Sequence, residues 1–342
     1  MILGLALAIG CGASWGLYLA PMRILKAWEW ENIWAVVSLV GLLIGPFLVA
    51  VWTVPHYFEV NQAVGGGILA LTLLIGVVSG MSGFLYSMTI RVIGLGLATA
   101  LNGGSSMAIA LLPLLTLHRQ TIFHASGLLT LVGVGLSILG ISLCAKGGGL
   151  REQDLANDQG PKPEKRSGRS FVKNVIACCI AGAISSGMNV ALAFPNPIFD
   201  IAHKYGSSDF GAANAFLAPY LAGGFISNIL YAGHIMRRNH TFSRFFVPGA
   251  LRCTLWSVFM SGVFVFGMSA YAGAVGLLGS FGAVIVWGVS MAAMILISSL
   301  WDVFLGEWKG SPAKVMAQGV AVLMVAIVVL GLAEYYHQLA GG

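Results

Sequence analysis

Residues 146–173 read Lys146-Gly-Gly-Gly-Leu-Arg-Glu-Gln-Asp-Leu-Ala-Asn-Asp-Gln-Gly-Pro-Lys-Pro-Glu-Lys-Arg-Ser-Gly-Arg-Ser-Phe-Val-Lys173, and this stretch determines how the chain is organised. It is the one strongly polar segment of the 342-residue sequence, with seven basic and four acidic residues. Its prolines, glycines and charges are typical of a flexible linker. We therefore predict a first unit over residues 1–145, a linker over 146–171 and a second unit over 172–342.

The sequence on either side of this segment is unusually apolar. Hydrophobic residues make up 58% of the chain and charged residues only 9%, whereas a soluble domain carries about 25% charged residues. So few charges cannot cover a water-exposed surface, which excludes a large soluble enzyme, a disordered chain and a secreted disulfide scaffold. The 46 glycines are typical of helices that pack closely in lipid. The composition predicts an all-α protein with several membrane-spanning helices.

Apolar windows of about 20 residues, long enough to cross a bilayer, occur ten times. They are continuously apolar and lack strand-like alternation, which favours helices over a β-barrel. The first window begins without a basic segment ahead of it, so we expect a membrane span and not a cleaved signal peptide. The predicted spans cover residues 2–21, 33–54, 67–90, 93–117, 125–145, 172–194, 211–235, 247–271, 274–302 and 313–334.

The basic residues predict the orientation of these spans. Sixteen of the 18 Lys and Arg residues fall on one side of a ten-span topology, and only Arg119 and Lys204 fall on the other. Loops rich in Lys and Arg face the cytoplasm. Both termini are therefore predicted to face out of the cytoplasm, with the polar segment inside it. The net charge of +6 is explained by this topology, so we expect no nucleic-acid partner.

The two halves resemble each other weakly. At a constant offset, residues 81–83 (Met-Ser-Gly) match residues 260–262, and Gly103 matches Gly282. Five spans in each half force the halves into opposite orientations, which is the plan of many transporters. The predicted fold is therefore ten transmembrane helices arranged as two inverted five-helix repeats.

The cysteines do not indicate a disulfide or a metal site. All five lie in apolar stretches and none forms a Cys-x-x-Cys pair. We interpret them as small packing residues and expect neither a disulfide nor a metal site. No cofactor-binding motif is present, so no cofactor is expected.

Five motifs are informative together: Tyr18-Leu-Ala-Pro21, Trp28-Glu-Trp30-Glu31-Asn-Ile-Trp34, Thr89-Ile-Arg91-Val-Ile-Gly94, Pro219 with Gly223-Gly224 and Asn228, and Glu307-Trp308. They resemble the bacterial L-rhamnose–proton symporter family, within the drug/metabolite transporter superfamily. The resemblance implies uptake of a deoxyhexose with protons across the bacterial inner membrane, with the termini on its periplasmic side, and the inverted repeat implies alternating access around a central site. The expected partners are a sugar, protons and the lipid bilayer.

A sugar site requires hydrogen-bonding side chains together with aromatic rings, and such groups are costly to bury in a membrane without partners. Serine and asparagine also bridge helices, and Trp and Tyr form interfacial belts, so a packing role stays open for each candidate. The candidate substrate-binding residues are Trp15, Tyr18, Tyr86, Asn102, Ser105, Asn189, Asn214, Tyr220 and Trp287.

Proton symport usually places an ionisable group in the transport path. Asp302, flanked by apolar residues near the inner end of the ninth span, is the candidate proton carrier, although a pairing with Lys309 is an equal alternative. Near the first cytoplasmic loop, Trp28 and its neighbouring tryptophans are interpreted as interfacial anchors, with a gating role as the alternative. Glu29 and Glu31 are expected to form ion pairs there.

Two other functions stay open at this point. One is a superfamily relative that exports a small metabolite or amphipathic compound. The other is a membrane-embedded enzyme such as a lipid-linked sugar transferase, for which Asp200 and His203 are the only hint. No phosphate-binding glycine loop supports the enzyme, and we expect a transporter.

Overall fold

The computed structural model describes residues 1–93, 95–159, 168–194, 196–304 and 310–340. Side chains are described for most of these residues; among those outside the description are Arg91, residues 152–159 and residues 302–304. Throughout the described ranges the secondary structure is helical, with no strand. The all-α fold class is therefore confirmed.

Fourteen α-helices are present in the described residues. Short 3₁₀ turns at Ala20–Ile24, Arg119–Phe123 and Phe242–Phe246 and a π-helical turn at Leu39–Ile44 connect or extend them. The helices are α1 (Ile2–Leu17), α2 (Trp30–Ser38), α3 (Gly45–Thr53), α4 (Tyr57–Val64), α5 (Gly66–Ile93), α6 (Leu95–Ala110), α7 (Leu112–Thr116), α8 (Ala125–Gln159), α9 (Gly168–Ser185), α10 (Gly187–Ala193), α11 (Pro197–Lys204), α12 (Asp209–Asn239), α13 (Ala250–Phe304) and α14 (Gly310–Leu339).

Ten helical segments in the described chain are long and apolar enough to cross a membrane, as predicted. One predicted break is displaced. The eighth and ninth spans are separated at Gly279 and not at residues 272–273, because Gly279 has φ 70° and ψ −164° within α13. Only glycine adopts such a backbone readily, so the chain turns there and Tyr271 lies inside the eighth span.

The polar segment starts as a helix. Helix α8 continues through Lys146 and ends at Gln159, and α9 begins at Gly168. Residues 150–159 are mostly good helix formers, which explains why the fifth span extends into the predicted linker. Residues 160–167 lie outside the described residues. The division into two units stays a prediction.

The helix pairings follow the same pattern in both halves. The first span, α1, packs along the eighth and ninth spans of α13, and the sixth span, α9, packs against the third and fourth spans, α5 and α6. The fifth and tenth spans, α8 and α14, pack against each other, and so do the second and seventh spans. The fourth and fifth spans pair, as do the ninth and tenth.

Two glycines allow close approaches in this arrangement. A Cβ on Gly12 of α1 would lie 2.3 Å from the Ser290 carbonyl oxygen of α13, and a Cβ on Gly182 of α9 would lie 2.1 Å from the Asn102 carbonyl oxygen of α6. Any larger residue would push these helices apart. The centre of the protein is therefore built on backbone contacts of the kind that small residues allow in lipid.

Candidate functional site

A cavity of about 500 Å³ lies among the loops at one end of the bundle. That end carries the N-terminus, because a Cβ on Gly4 would lie 2.7 Å from the side chain of Leu278, next to the turn at Gly279. The cavity lies on the side predicted to be periplasmic. Its lining is Leu117, His118, Leu192, Ala193, Phe194, Asn196, Phe199, Asp200, His203, Asp209, Ala213, Val275, Gly276 and Gly279.

An aromatic cluster lies one helical turn deeper than the cavity. The Trp15 ring stacks on Tyr271 with centroids 5.8 Å apart, and Trp287 packs edge-on against both, with centroids 6.3 Å and 6.1 Å away. The Tyr271 hydroxyl donates a hydrogen bond to Oδ1 of Asn189. Asn189 precedes the cavity-lining Ala193 by one turn of helix. We call Trp15, Asn189, Tyr271 and Trp287 the central cluster.

The central cluster holds three hydrogen-bond donors that have no acceptor among the residues that the structure describes. Nε1 of Trp15, Nε1 of Trp287 and Nδ2 of Asn189 are all buried and make no hydrogen bond. Asn189 and Tyr271 are fully buried, and Trp287 is nearly so. An unpaired buried donor costs about 1–3 kcal/mol. Three such donors within one cluster are the feature expected where a ligand supplies the acceptors.

The structure brings together three of the residues predicted from the sequence, Trp15, Asn189 and Trp287. Tyr220 is adjacent: it is buried and close enough to Tyr271 to interact with it electrostatically. Tyr271 itself was missed by the sequence analysis, because the predicted eighth span ended at this residue. The signal that could have identified Tyr271 is the presence of a tyrosine within an apolar stretch of sequence.

The other predicted residues make local contacts outside the central cluster. Tyr18 packs on Phe264 at the opposite end of α1. The remaining four bond to or pack against their own or a neighbouring helix: Tyr86 with Thr99, Ser105 with the Leu101 carbonyl, Asn214 with the Phe210 carbonyl, and Asn102 through its carbonyl with Gly182.

Titratable groups surround the cavity. Nε2 of His203 lies 3.4 Å from Oδ1 of Asp209, and Nδ1 of His203 lies 3.0 Å from the Ser207 carbonyl oxygen. These side chains are 41% and 70% exposed, so the rim of the cavity reaches water. On the opposite wall, burial lowers the pKa of His118 from its ordinary value.

At the opposite end of the bundle, polar contacts join the second span to the seventh span and the turn that follows it. Glu31 is buried and accepts hydrogen bonds from Nδ2 of Asn239 at 3.0 Å and Oγ1 of Thr241 at 2.9 Å. Nδ2 of the neighbouring Asn32 donates to the Thr241 carbonyl at 3.0 Å. Nε1 of Trp34 donates to Oδ1 of Asn228 at 2.8 Å.

These contacts revise two expectations about the first cytoplasmic loop. Trp28 is 5% exposed and packs edge-on against Phe245, so it is buried in the protein and does not serve as a lipid anchor. Glu29 forms an ion pair with Arg244 at 3.5 Å as expected. An ion pair was also expected at Glu31, but the side chains described as donating hydrogen bonds to it, Asn239 and Thr241, are neutral. Asparagine and threonine side chains from a distant span cannot be identified as its partners from sequence spacing.

Asp302, the candidate proton carrier, lies outside the residues whose side chains are described. A second carboxyl group was missed: Glu334 is fully buried on α14, where the predicted tenth span ended. Within the described part of the chain, no three His, Cys, Asp or Glu side chains are grouped to hold a metal ion.

The L-rhamnose-proton symport protein (RhaT) family model matches residues 1–336. The L-rhamnose-proton symporter of Klebsiella pneumoniae strain 342 is 22% identical over 331 residues, covering 94% of each chain. That of Yersinia pestis bv. Antiqua is 24% identical over 343 residues, covering 97% of this chain and 98% of the relative. A protein of known crystal structure covers 97% of this chain with a TM-score of 0.58 at 13% identity, which supports the fold alone.

Proposed function

Since the chain belongs to the L-rhamnose-proton symport protein family, we propose that it imports a deoxyhexose such as L-rhamnose together with protons. The relatives that it matches over nearly their whole length are named L-rhamnose-proton symporters. We place it in the bacterial inner membrane as a multi-pass protein with both termini in the periplasm. Its proposed partners are the sugar, protons and the bilayer, without a chemical reaction or a cofactor.

The unpartnered donors of the central cluster are the observation that carries this proposal. A sugar hydroxyl oxygen accepts hydrogen bonds. The central cluster offers three buried N–H donors for such oxygens, on Trp15, Trp287 and Asn189. The apolar ring face of a deoxyhexose packs against aromatic rings, which Trp15 and Tyr271 supply. The central cluster therefore matches a neutral polyol with one apolar face.

The same cluster argues against export of a cationic amphipathic compound. Aromatic rings can attract a cation, but the cluster holds no carboxylate, and its one side-chain carbonyl, Oδ1 of Asn189, is already bonded to Tyr271. A buried cation without a counter-charge is costly. The cluster also lacks a general acid or base beside the donors, as a transferase would require.

We propose that transport proceeds by alternating access between two inverted repeats. The matched helix pairings of the two halves support the repeat, and rocking of one set of helices against the other would expose a central site to each side in turn. The cavity above the central cluster and the hydrogen bond between Glu31 and Thr241 at the other end support a conformation open towards the termini. Six further candidate residues are proposed to line the path along which the sugar moves inward: Tyr18, Tyr86, Asn102, Ser105, Asn214 and Tyr220.

A ligand panel in detergent tests the substrate class. A ligand that binds only the folded protein stabilises it by about 2.7 kcal/mol at one hundred times its Kd. We expect L-rhamnose to raise the apparent Tm and L-mannose, which adds one hydroxyl at C6, to raise it less. Stabilisation by tetraphenylphosphonium without an effect of any sugar would instead support an exporter of cations.

A further inference from the structure

Glu334 is an acidic residue buried inside the helix bundle, and the sequence did not single it out. It has no exposed surface. Its Oε1 accepts a hydrogen bond from Nε2 of Gln338 at 2.9 Å, while its Oε2 is buried and has no hydrogen-bond partner in the described part of the chain. A buried carboxylate oxygen without a donor is costly. A proton on Oε2 removes that cost, so this oxygen is a proton-binding position.

Few other charged groups lie near Glu334. Helix α14 packs against α8 and α13, and Gly331 lies beside Leu5 of α1. Helix α1 brings the Met1 amino group, whose positive charge attracts the Glu334 carboxylate. The segment before α8 places His118, Arg119 and His124 at the same end of the bundle, and α14 contributes His337. Helix α13 has no titratable residue between Gly279 and Trp301.

Two histidines connect the cavity with Glu334. His118 lines the cavity, and its ring centroid lies 6.2 Å from that of His337. His337 is one helical turn beyond Glu334 on α14 and stacks on Phe281 with centroids 3.8 Å apart. An imidazole can accept a proton on one ring nitrogen and release one from the other. His118 and His337 are thus two proton-binding groups placed in series between the cavity and Glu334.

Glu334 is also connected mechanically to the central cluster. Leu330, one turn from Glu334, packs on Gly288, where a Cβ would lie 2.8 Å from the Leu330 side chain. Gly288 directly follows Trp287 of the central cluster. Leu330 packs on Gly133 of α8 just as closely. A change of charge at Glu334 that shifts α14 would therefore move the helix that carries Trp287.

We propose that Glu334 binds the transported proton on the outer side and that His118 and His337 deliver it from the cavity. The inference rests on the proposed symport. One proton leaves cavity water and ends on Oε2 of Glu334, and nothing is oxidised or reduced. Asp302, near the opposite end of the ninth span, would then not be the group that loads the proton from outside.

The test uses the full-length protein in proteoliposomes with labelled L-rhamnose. Two quantities are measured: exchange of labelled for unlabelled sugar, which needs no net proton release, and accumulation driven by an inward proton gradient. Glu334→Gln keeps the size of the side chain and an acceptor for Gln338. Glu59→Gln is the matched control, because Glu59 is an exposed outer carboxylate that pairs with His56 at 3.3 Å.

We expect Glu334→Gln to exchange sugar within about two-fold of wild type, but to accumulate it only to the external concentration. Glu59→Gln should accumulate like wild type, and His337→Gln should slow accumulation at least several-fold without changing exchange. Accumulation by Glu334→Gln at the wild-type level would overturn the inference. Loss of both exchange and accumulation in Glu334→Gln would also overturn the inference, because Glu334 would then be needed for folding or sugar binding. A wild type without gradient-driven accumulation would instead contradict the proposed symport itself.

Discussion

Substitution Trp15→Phe tests whether the unpartnered donors of the central cluster bind substrate. Phenylalanine keeps an aromatic ring that can stack on Tyr271, which lies 5.8 Å away, but it removes the Nε1 donor. In the free protein this donor has no acceptor to lose. The expected effect is therefore on substrate affinity, because the hydrogen bond forms only when the sugar is bound.

The size of the effect follows from one neutral hydrogen bond. Such a bond contributes about 0.5–1.5 kcal/mol, and 1.4 kcal/mol corresponds to a factor of ten in affinity. We expect the Kd for L-rhamnose to rise about 2- to 13-fold.

Trp28→Phe is the matched control. Nε1 of Trp28 is also buried and unpartnered, but Trp28 packs on Phe245 at the opposite end of the bundle. Both variants lose the same atoms, so a difference between their Kd values isolates the contact with substrate.

The measurement is isothermal titration of each purified variant with L-rhamnose in detergent, with the apparent Tm recorded for the free proteins. Trp28→Phe should keep the wild-type Kd. The reasoning is refuted if Trp15→Phe binds L-rhamnose as tightly as wild type, or if both variants lose affinity equally.

Three further predictions concern topology, pH and coupling. Cysteines replacing Gly341 or Gly342 should react with a membrane-impermeant thiol reagent added outside, and a cysteine replacing Gly160 should not; the reverse labelling would contradict the predicted orientation. Because the pKa of His118 is lowered on folding, the unfolded state takes up the proton first as pH falls below about 6.5. The apparent Tm in detergent should thus fall with pH in that range, and should fall less in His118→Gln. Asp302→Asn should accumulate L-rhamnose in proteoliposomes as wild type does if Glu334 loads the proton, and loss of accumulation with exchange intact would return that role to Asp302.

The ten spans could be predicted because a bilayer imposes a single strong requirement, a long apolar helix. The break at Gly279 was displaced because several glycines occur in that stretch, and only the backbone geometry shows which one turns the chain. Lys146 was placed in a flexible linker, whereas α8 continues to Gln159, because helix propensity can outweigh polar composition.

The candidate site was only partly predictable, because it depends on contacts between distant spans. Trp15, Asn189 and Trp287 stood out as polar or aromatic groups in apolar sequence. Nothing in the sequence shows that Tyr271 bonds to Asn189, 82 positions away. Glu334 was overlooked because a carboxyl at the predicted end of a span is ordinarily solvated, and only the packing of α14 shows that it is buried.

The central claim is that this protein couples the entry of a deoxyhexose to the entry of protons. The most direct measurement is uptake of labelled L-rhamnose by wild-type proteoliposomes under an inward proton gradient, with the membrane potential clamped at zero. The account predicts accumulation above the external concentration and its collapse when a protonophore is added. Equilibration to the external concentration at every pH, unaffected by the protonophore, would contradict it.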